Sequence, residues 1–167
     1  MSTIKIEQEQ VKQFAHAEAT RYMNNATETL QKTGKEGNLY LDDKYVRTAC
    51  GIAYLGVLKA LDALFELRGV PLPPKKKRKN IEFYTYYAAM LDGKLSKELH
   101  NAYRLLHIEG YYEGVCGVGT IKDGFDFANS IIARIKPEHE LTQEEYKALR
   151  AKKKPAWLRA LYSFFFL

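Results

Sequence analysis

The sequence predicts an all-α protein, an up-and-down bundle of four main helices with a C-terminal helical extension. Apolar residues recur every three or four positions in successive segments, which is the period of an amphipathic helix. Glycine, proline and capping residues separate these segments, and no segment alternates long enough to indicate a sheet. Because each apolar stripe needs a partner and short loops make neighbouring helices antiparallel, the segments should pack as a bundle.

The first two helices account for the N-terminal 68 residues. The first should run from about Glu7 to Lys32, and the glycines of Gly34–Asn38 should end it. The second should begin at Asp42 or Asp43, both good N-caps, and continue to about Arg68. Its middle is apolar nearly all round, which is typical of a central helix packed by several neighbours.

The next three helices follow from their start and stop signals. A third helix should start at Asn80 and end at Asp92-Gly93. A fourth should run from Leu95 to Gly110, with a glycine-rich loop after it. Thr120 and Asp123 then predict a capping box for the fifth helix.

Pro137 ends that helix and divides the chain into a bundle, residues 1–136, and an amphipathic extension, residues 137–167. Thr142 and Glu145 predict a second capping box, which opens a charged helix. The extension then becomes rich in large apolar residues, namely Trp157, Leu158, Leu161, Phe164, Phe165 and Phe166. Such a surface needs cover, so the extension should pack on the bundle, on a partner subunit or on a membrane surface. Packing against protein is favoured, because Arg159 alone gives this segment too small a polar face for a helix that lies on a membrane surface.

Composition restricts the class of protein. The chain is 46% hydrophobic and 28% charged, as in soluble globular domains, and 167 residues suit one domain. Its N-terminus lacks the apolar run of a signal peptide, and Lys59 and Asp62 interrupt the longest apolar helix, so we expect a cytoplasmic protein with no membrane span. Cys50 and Cys116 indicate neither a disulfide framework nor a metal site, and we expect no metal and no cofactor.

The formal charge of +6 is concentrated in two local runs, Lys75–Lys79 and Lys147–Arg159. The first resembles a nuclear import signal or a nucleic-acid contact, and Tyr84 and Tyr86 nearby could stack on bases. A solvated loop that leads to the cap at Asn80 is the favoured interpretation.

The most distinctive stretch is His100–Tyr112. In an α-helix, His100, Arg104, His107 and Tyr111 would share one face, since they recur at i, i+4, i+7 and i+11. Two interpretations stay open: a groove for phosphate or a nucleotide, and a hydrogen-bonded network between helices. The network is favoured, because a histidine can bond within its own subunit without any ligand.

Four segments occur in an informative order along the chain: Gly34–Asn38, Lys44–Asp62, Pro74–Tyr84 and Leu105–Tyr112. On these segments the chain resembles the HEPN-like group of bacterial helical bundles, and the resemblance covers roughly residues 10–135. More narrowly, it resembles a family of uncharacterised bacterial proteins assigned to that group.

This resemblance implies a homodimer and three functions to weigh. Many HEPN proteins are metal-independent ribonucleases in which an arginine, four to six residues and then a histidine meet at the dimer interface. Here His107 follows Arg104 with only two residues between, and Asn101 stands six positions before it. We therefore expect a catalytically degenerate binding or interaction module, not an enzyme, and a nucleotide or RNA stays open as its ligand.

Two alternatives stay open. One is an endoribonuclease in which His107 is the general acid or base and Arg104 stabilises charge on the phosphate. The other is the partner subunit of a small nucleotidyltransferase. Beside the pair, the same stretch supplies candidate ligand-binding residues at His100, Asn101, Tyr111 and Tyr112.

Overall fold

The computed structural model describes residues 3–71, 73 and 78–151, and this part of the chain is mostly helical. Its α-helices are α1 (Thr3–Leu30), α2 (Asp43–Leu67), α3 (Ile81–Leu91), α4 (Gly93–Ala102), α5 (Val118–Ala133) and α6 (Gln143–Ala151). A π-helical segment, Tyr103–Glu113, continues α4. The all-α prediction is confirmed at this level.

The helix α2 forms the centre of the fold. It packs against α1, the π-helical segment and α5. Ala53, Ala60 and Leu61 have no exposed surface, so water is excluded from several sides of this helix. At Gly56 an added Cβ would lie 3.3 Å from the carbonyl oxygen of Ala19, so the missing side chain allows α1 and α2 to approach closely.

The same helix is long and apolar enough to cross a membrane. However, 67% of its most apolar window is buried inside the bundle. The central helix of a water-soluble bundle has the same two properties, because it is covered by neighbouring helices on most sides.

Four helix starts coincide with their capping signals. The backbone N–H of Lys44 donates to Asp42 Oδ1 at 3.0 Å, and Asn80 and Asp92 cap α3 and α4 in the same way. At α6, Glu145 N–H donates to Thr142 Oγ1 at 3.2 Å, and its carboxylate accepts the Thr142 N–H at 2.8 Å. The predicted capping box at the start of α6 is therefore present.

The predicted capping box at Thr120 is wrong, because α5 begins two residues earlier, at Val118. A two-stranded hairpin, β1 (Lys35–Glu36) and β2 (Leu39–Tyr40), lies between α1 and α2 and sets this start. Its Tyr40 N–H donates to Cys116 O at 2.9 Å, and Asn38 O accepts from Val118 N–H at 2.9 Å. The loop before α5 is thus held by backbone pairing to a distant segment, and two-residue strands are too short to show an alternating pattern.

The predicted fourth helix is wrong in its second half, since the backbone changes from α-helical to π-helical at Tyr103. Gly110 occupies a place where an added Cβ would stand 2.8 Å from the Cβ of Cys50 on α2. Gly114, with φ +71°, ends the segment in the left-handed region. The backbone of the segment at Gly110 therefore packs directly on the Cys50 side chain of α2, and the missing side chain of the glycine makes that contact possible.

Three buried carboxylates connect the helices in pairs. Glu18, Asp62 and Glu98 are each at most 6% exposed. Asp62 of α2 accepts from Lys79 Nζ and from Tyr84 Oη, both at 2.8 Å. Since buried carboxylates are costly unless paired and hydrogen-bonded, these contacts restrict where α3 can lie. Lys79, at the end of the basic run, thus contacts a buried acid.

The other two carboxylates restrict α5 and α6. Glu98 of α4 accepts from Ser130 Oγ at 2.7 Å and from Arg134 Nη2 at 2.9 Å. Glu18 of α1 accepts from the hydroxyl of Tyr146 on α6. The first helix of the extension therefore packs on α1, whereas the apolar run predicted to dock, Trp157–Phe166, lies outside the described residues.

Substituting Gly110→Ala tests the close contact between the π-helical segment and α2. We expect the free energy of unfolding to fall by about 1–3 kcal/mol, because the new methyl overlaps Cys50. Urea denaturation followed by circular dichroism measures the change. Gly93→Ala is the matched control, since an added Cβ there meets no atom within 4 Å among those described. Equal stability of the two variants would contradict this packing.

Candidate functional site

The predicted site residues lie at the junction of α4 and the π-helical segment, but they do not form one stripe. His100 is exposed and Asn101 half-buried at the end of α4. Beyond Tyr103, hydrogen bonds of the i→i+5 type replace those of the α-helix, so neighbours on the surface are four to five residues apart and no longer three. The α-helical spacing that would place His100, Arg104 and His107 on one face therefore ends at Tyr103.

Arg104 illustrates the new spacing. Its guanidinium forms an ion pair with the carboxylate of Glu109, five residues later. The arginine side chain is 50% exposed and the glutamate side chain 23%. The charge that was expected to stabilise a phosphate is therefore matched by a carboxylate of the same segment.

His107 is surrounded by tyrosine rings. Its ring centroid lies 4.8 Å from that of Tyr54 on α2 and 5.2 Å from that of Tyr103. Tyr111 stacks on it at 5.9 Å with an interplanar angle of 15°, and Tyr112 meets it edge-on at 5.0 Å. We call these five residues the His107 cluster. Packing of this kind holds the imidazole by aromatic contact, not by a catalytic partner.

Burial lowers the pKa of His107 below its ordinary value of 6.5. Within the described ranges, the structure gives the imidazole ring contacts and no hydrogen bond. A neutral ring at pH 7 is suited to stacking, and it carries no charge for binding a phosphate. The favoured interpretation of a hydrogen-bonded network therefore describes Arg104 and Glu109 but not His107.

Two residues of α2 that the sequence reasoning missed build this site. Tyr54 provides the buried floor of the His107 cluster. Arg47 donates through Nη1 to the carbonyl oxygens of Tyr111 and Tyr112, at 3.0 and 2.5 Å, and through Nη2 to that of Glu113, at 3.1 Å.

These carbonyls lack helical partners at the end of the segment, and a cation stabilises the negative end of a helix. Gly114 makes the contact possible, since a Cβ there would lie 2.6 Å from Arg47 Cζ. In the sequence, the signal was an arginine in the first turns of α2 and the first glycine of the loop after Glu113, and only the fold brings them together.

The outer side of the cluster is an exposed apolar surface. Tyr111 is 43% exposed, Tyr112 62% and Leu55 of α2 40%. Tyr111 covers Gly51, whose added Cβ would lie 3.2 Å from the tyrosine ring, and Leu55 stands one helical turn further along. We call Leu55, Tyr111 and Tyr112 the tyrosine face. Large apolar side chains that adjoin one another at a surface are typical of a contact site.

No cluster of three or more histidine, cysteine or acidic side chains that could hold a metal ion occurs in the described part of the chain. Cys50 is buried and Cys116 half-buried, and both are free thiols. Burial raises the pKa of Cys50 to about 12, which makes its thiol unreactive at neutral pH.

Comparisons with known proteins give similarity without an activity. A family model described as a domain of unknown function (DUF5618) matches residues 14–137. Among solved structures, a protein of unknown function from Dyadobacter fermentans is 37% identical and has a TM-score of 0.65. The similarity covers 74% of this chain and 94% of that one. No curated protein matches this chain.

The lowered pKa of His107 predicts how stability depends on pH. The unfolded chain binds a proton on this residue near pH 6.5, whereas the folded chain binds it only at lower pH. The contribution of neutral His107 to the free energy of unfolding is therefore fully present above pH 6.5. It decreases as the pH falls from that value towards the pKa of His107 in the folded chain. The free energy of unfolding should fall less steeply between about pH 7 and pH 5 in His107→Gln than in the parent chain.

Urea denaturation at a series of pH values gives the two slopes. His16 also has a pKa lowered by burial, so some dependence should persist in the variant. His100→Gln, at an exposed position, controls for the loss of a histidine. Parallel curves for His107→Gln and the parent would show that this imidazole contributes nothing to the pH dependence.

Proposed function

Because this chain belongs to the DUF5618 family, whose description names no activity, we propose a function from its own residues. The chain is a HEPN-like binding module with a four-helix core, and it acts as a homodimer that associates through the tyrosine face. Ribonuclease chemistry has been lost from it. The observation that carries the proposal is the environment of His107, which packs among four tyrosine rings and not against Arg104.

Loss of catalysis is supported by the partners of the two expected catalytic residues. Stabilising a phosphate needs donors that are aimed at the developing charge, and Arg104 is paired with Glu109 instead. A general base needs hydrogen-bond reach to the proton it removes. The His107 ring instead contacts Tyr54 and Tyr112, whose ring centroids lie 4.8 and 5.0 Å from its own.

Dimerisation is supported by the chemistry of the tyrosine face. Tyrosine is enriched at the centres of protein interfaces, since it adds a large contact area with little loss of side-chain entropy. The π-helical segment beneath it is fixed by Arg47 and by the contact of Gly110 with Cys50, so the face is rigid. A preformed rigid face reduces the entropic cost of association.

Incubation with total RNA in the absence of metal tests the loss of catalysis. We expect no cleavage by the parent chain, and no difference between it and His107→Ala. Gel analysis of the RNA over several hours gives the readout. Cleavage by the parent that is abolished in His107→Ala would contradict the proposal and establish the ribonuclease alternative.

Sedimentation of the full chain tests the dimer and its location. The parent should be dimeric at micromolar concentration, and Tyr112→Glu should be monomeric. A twofold interface buries the substituted residue of both copies, so the dissociation constant should rise by at least tenfold. Tyr86→Glu is the matched control, because Tyr86 on α3 is 61% exposed, as Tyr112 is 62%. A monomeric parent chain, or equal effects of the two variants, would contradict this surface.

A further inference from the structure

A concave region lies between α1 and α6 and shares no residue with the His107 cluster. This α1–α6 cleft has a volume of about 750 Å³, which lies in the range of small-molecule sites. Its walls include Ala17 and Leu141, and polar side chains such as Asn24 and Gln143 adjoin them. The family match ends at residue 137, so α6 adds this cleft to the part of the chain that defines the family.

The cleft is organised around a buried carboxylate. Glu18 is 2% exposed, and its two oxygens contact arginines from the two walls. Arg21 Nη2 of α1 lies 3.4 Å from Glu18 Oε2, and Arg150 Nε of α6 lies 3.5 Å from Glu18 Oε1. Tyr146 donates its hydroxyl proton to Glu18 and accepts from Arg21 Nε at 3.1 Å. These contacts fix both guanidinium groups at one end of the cleft.

Among the described residues, the charges of the cleft do not balance. One carboxylate, that of Glu18, is shared by two guanidinium groups, and Lys147 adds a further cation to the lining. Glu140 also lines the cleft, but its carboxylate lies 3.5 Å from Lys136 Nζ. The surplus is therefore positive, and it lies in a concave region where the surrounding protein strengthens electrostatic attraction.

The arginines also retain donors for a ligand. A guanidinium has five N–H groups, and the contacts with Glu18 and Tyr146 use only part of each set. The side chains of Arg21 and Arg150 are 31% and 52% exposed, so their remaining N–H groups are accessible. Guanidinium groups held in place by a buried acid are preorganised for the paired oxygens of a carboxylate or phosphate.

We propose that the α1–α6 cleft binds a small organic oxyanion, a molecule that carries a carboxylate or phosphate group. The anionic group contacts Arg21, Lys147 and Arg150, and the remainder of the molecule lies along Ala17 and Leu141. Binding connects α1 to α6 and thereby strengthens the packing of α6 on α1. This site is independent of the tyrosine face and of the proposed dimer.

Titration of the ¹⁵N-labelled full chain with inorganic phosphate, and separately with citrate, tests the site at constant ionic strength. We expect saturable shifts of backbone amides in α1 and α6, including those of Ala17 and Lys147. The arm with the lower dissociation constant identifies the preferred oxyanion. Saturation in either arm supports the proposal, and shifts in neither arm overturn it.

Two variants and one control establish the role of the cations. Lys147→Gln and Arg150→Gln should each weaken binding by about tenfold, the effect of losing a hydrogen bond to a charged group. Lys147→Gln leaves the contacts of Glu18 intact, so it remains informative if Arg150→Gln unfolds. Lys122→Gln removes the same charge from an exposed pair with Asp126 outside the cleft. An equal loss of affinity in this control would overturn the proposal, since it would indicate attraction to the whole chain.

Discussion

The burial of α2 on several sides is the constraint on which the rest of the structure depends. A helix without a polar face must be covered by neighbours, and here α1, α5 and the π-helical segment cover it. Small residues determine how closely they approach. The helix α1 packs closely against Gly56, and the ring of Tyr111 packs against Gly51. The backbone at Gly110 packs against Cys50. The hydrophobic effect requires the cover, while these small side chains select which surfaces can provide it.

Buried carboxylates supply the specificity that apolar contact lacks. Glu18, Asp62 and Glu98 come from three different helices, and each accepts from a hydroxyl and forms an ion pair with a cation of another part of the chain. A shifted arrangement of helices would leave such a carboxylate unpaired in a low-dielectric interior, at high cost. The three networks differ in their consequences. Those of Asp62 and Glu98 connect packed helices, whereas the arginines that contact Glu18 also line a cleft with surplus cations.

The change from α- to π-helix gives the His100–Tyr112 stretch its character. An α-helical continuation would have kept Arg104 and His107 on one face. The π-helical backbone instead brings Arg104 to Glu109, and it lies where Tyr54 and Tyr103 surround His107. π-helical turns are costly and are frequently found at functional sites. Here the segment presents two exposed tyrosines on a base fixed by Arg47, a geometry suited to contact with a partner.

The sequence by itself determined the helices and the starts of α2, α3 and α6, because capping and amphipathic spacing are local properties. The caps at Asp42 and Asn80 and the central place of α2 could all be predicted from neighbouring residues. Tertiary structure alone decided the hairpin, the start of α5 and the π-helical segment. The first two depend on backbone pairing between residues 38–40 and 116–118, and the third on the fit of Gly110 against Cys50. The candidate site divides in the same way, since its histidine and tyrosines could be identified from the sequence. The roles of Arg47 and Tyr54 depend on contacts between segments that are distant in sequence. The pairing of Arg104 with Glu109 depends on the changed period of the helix.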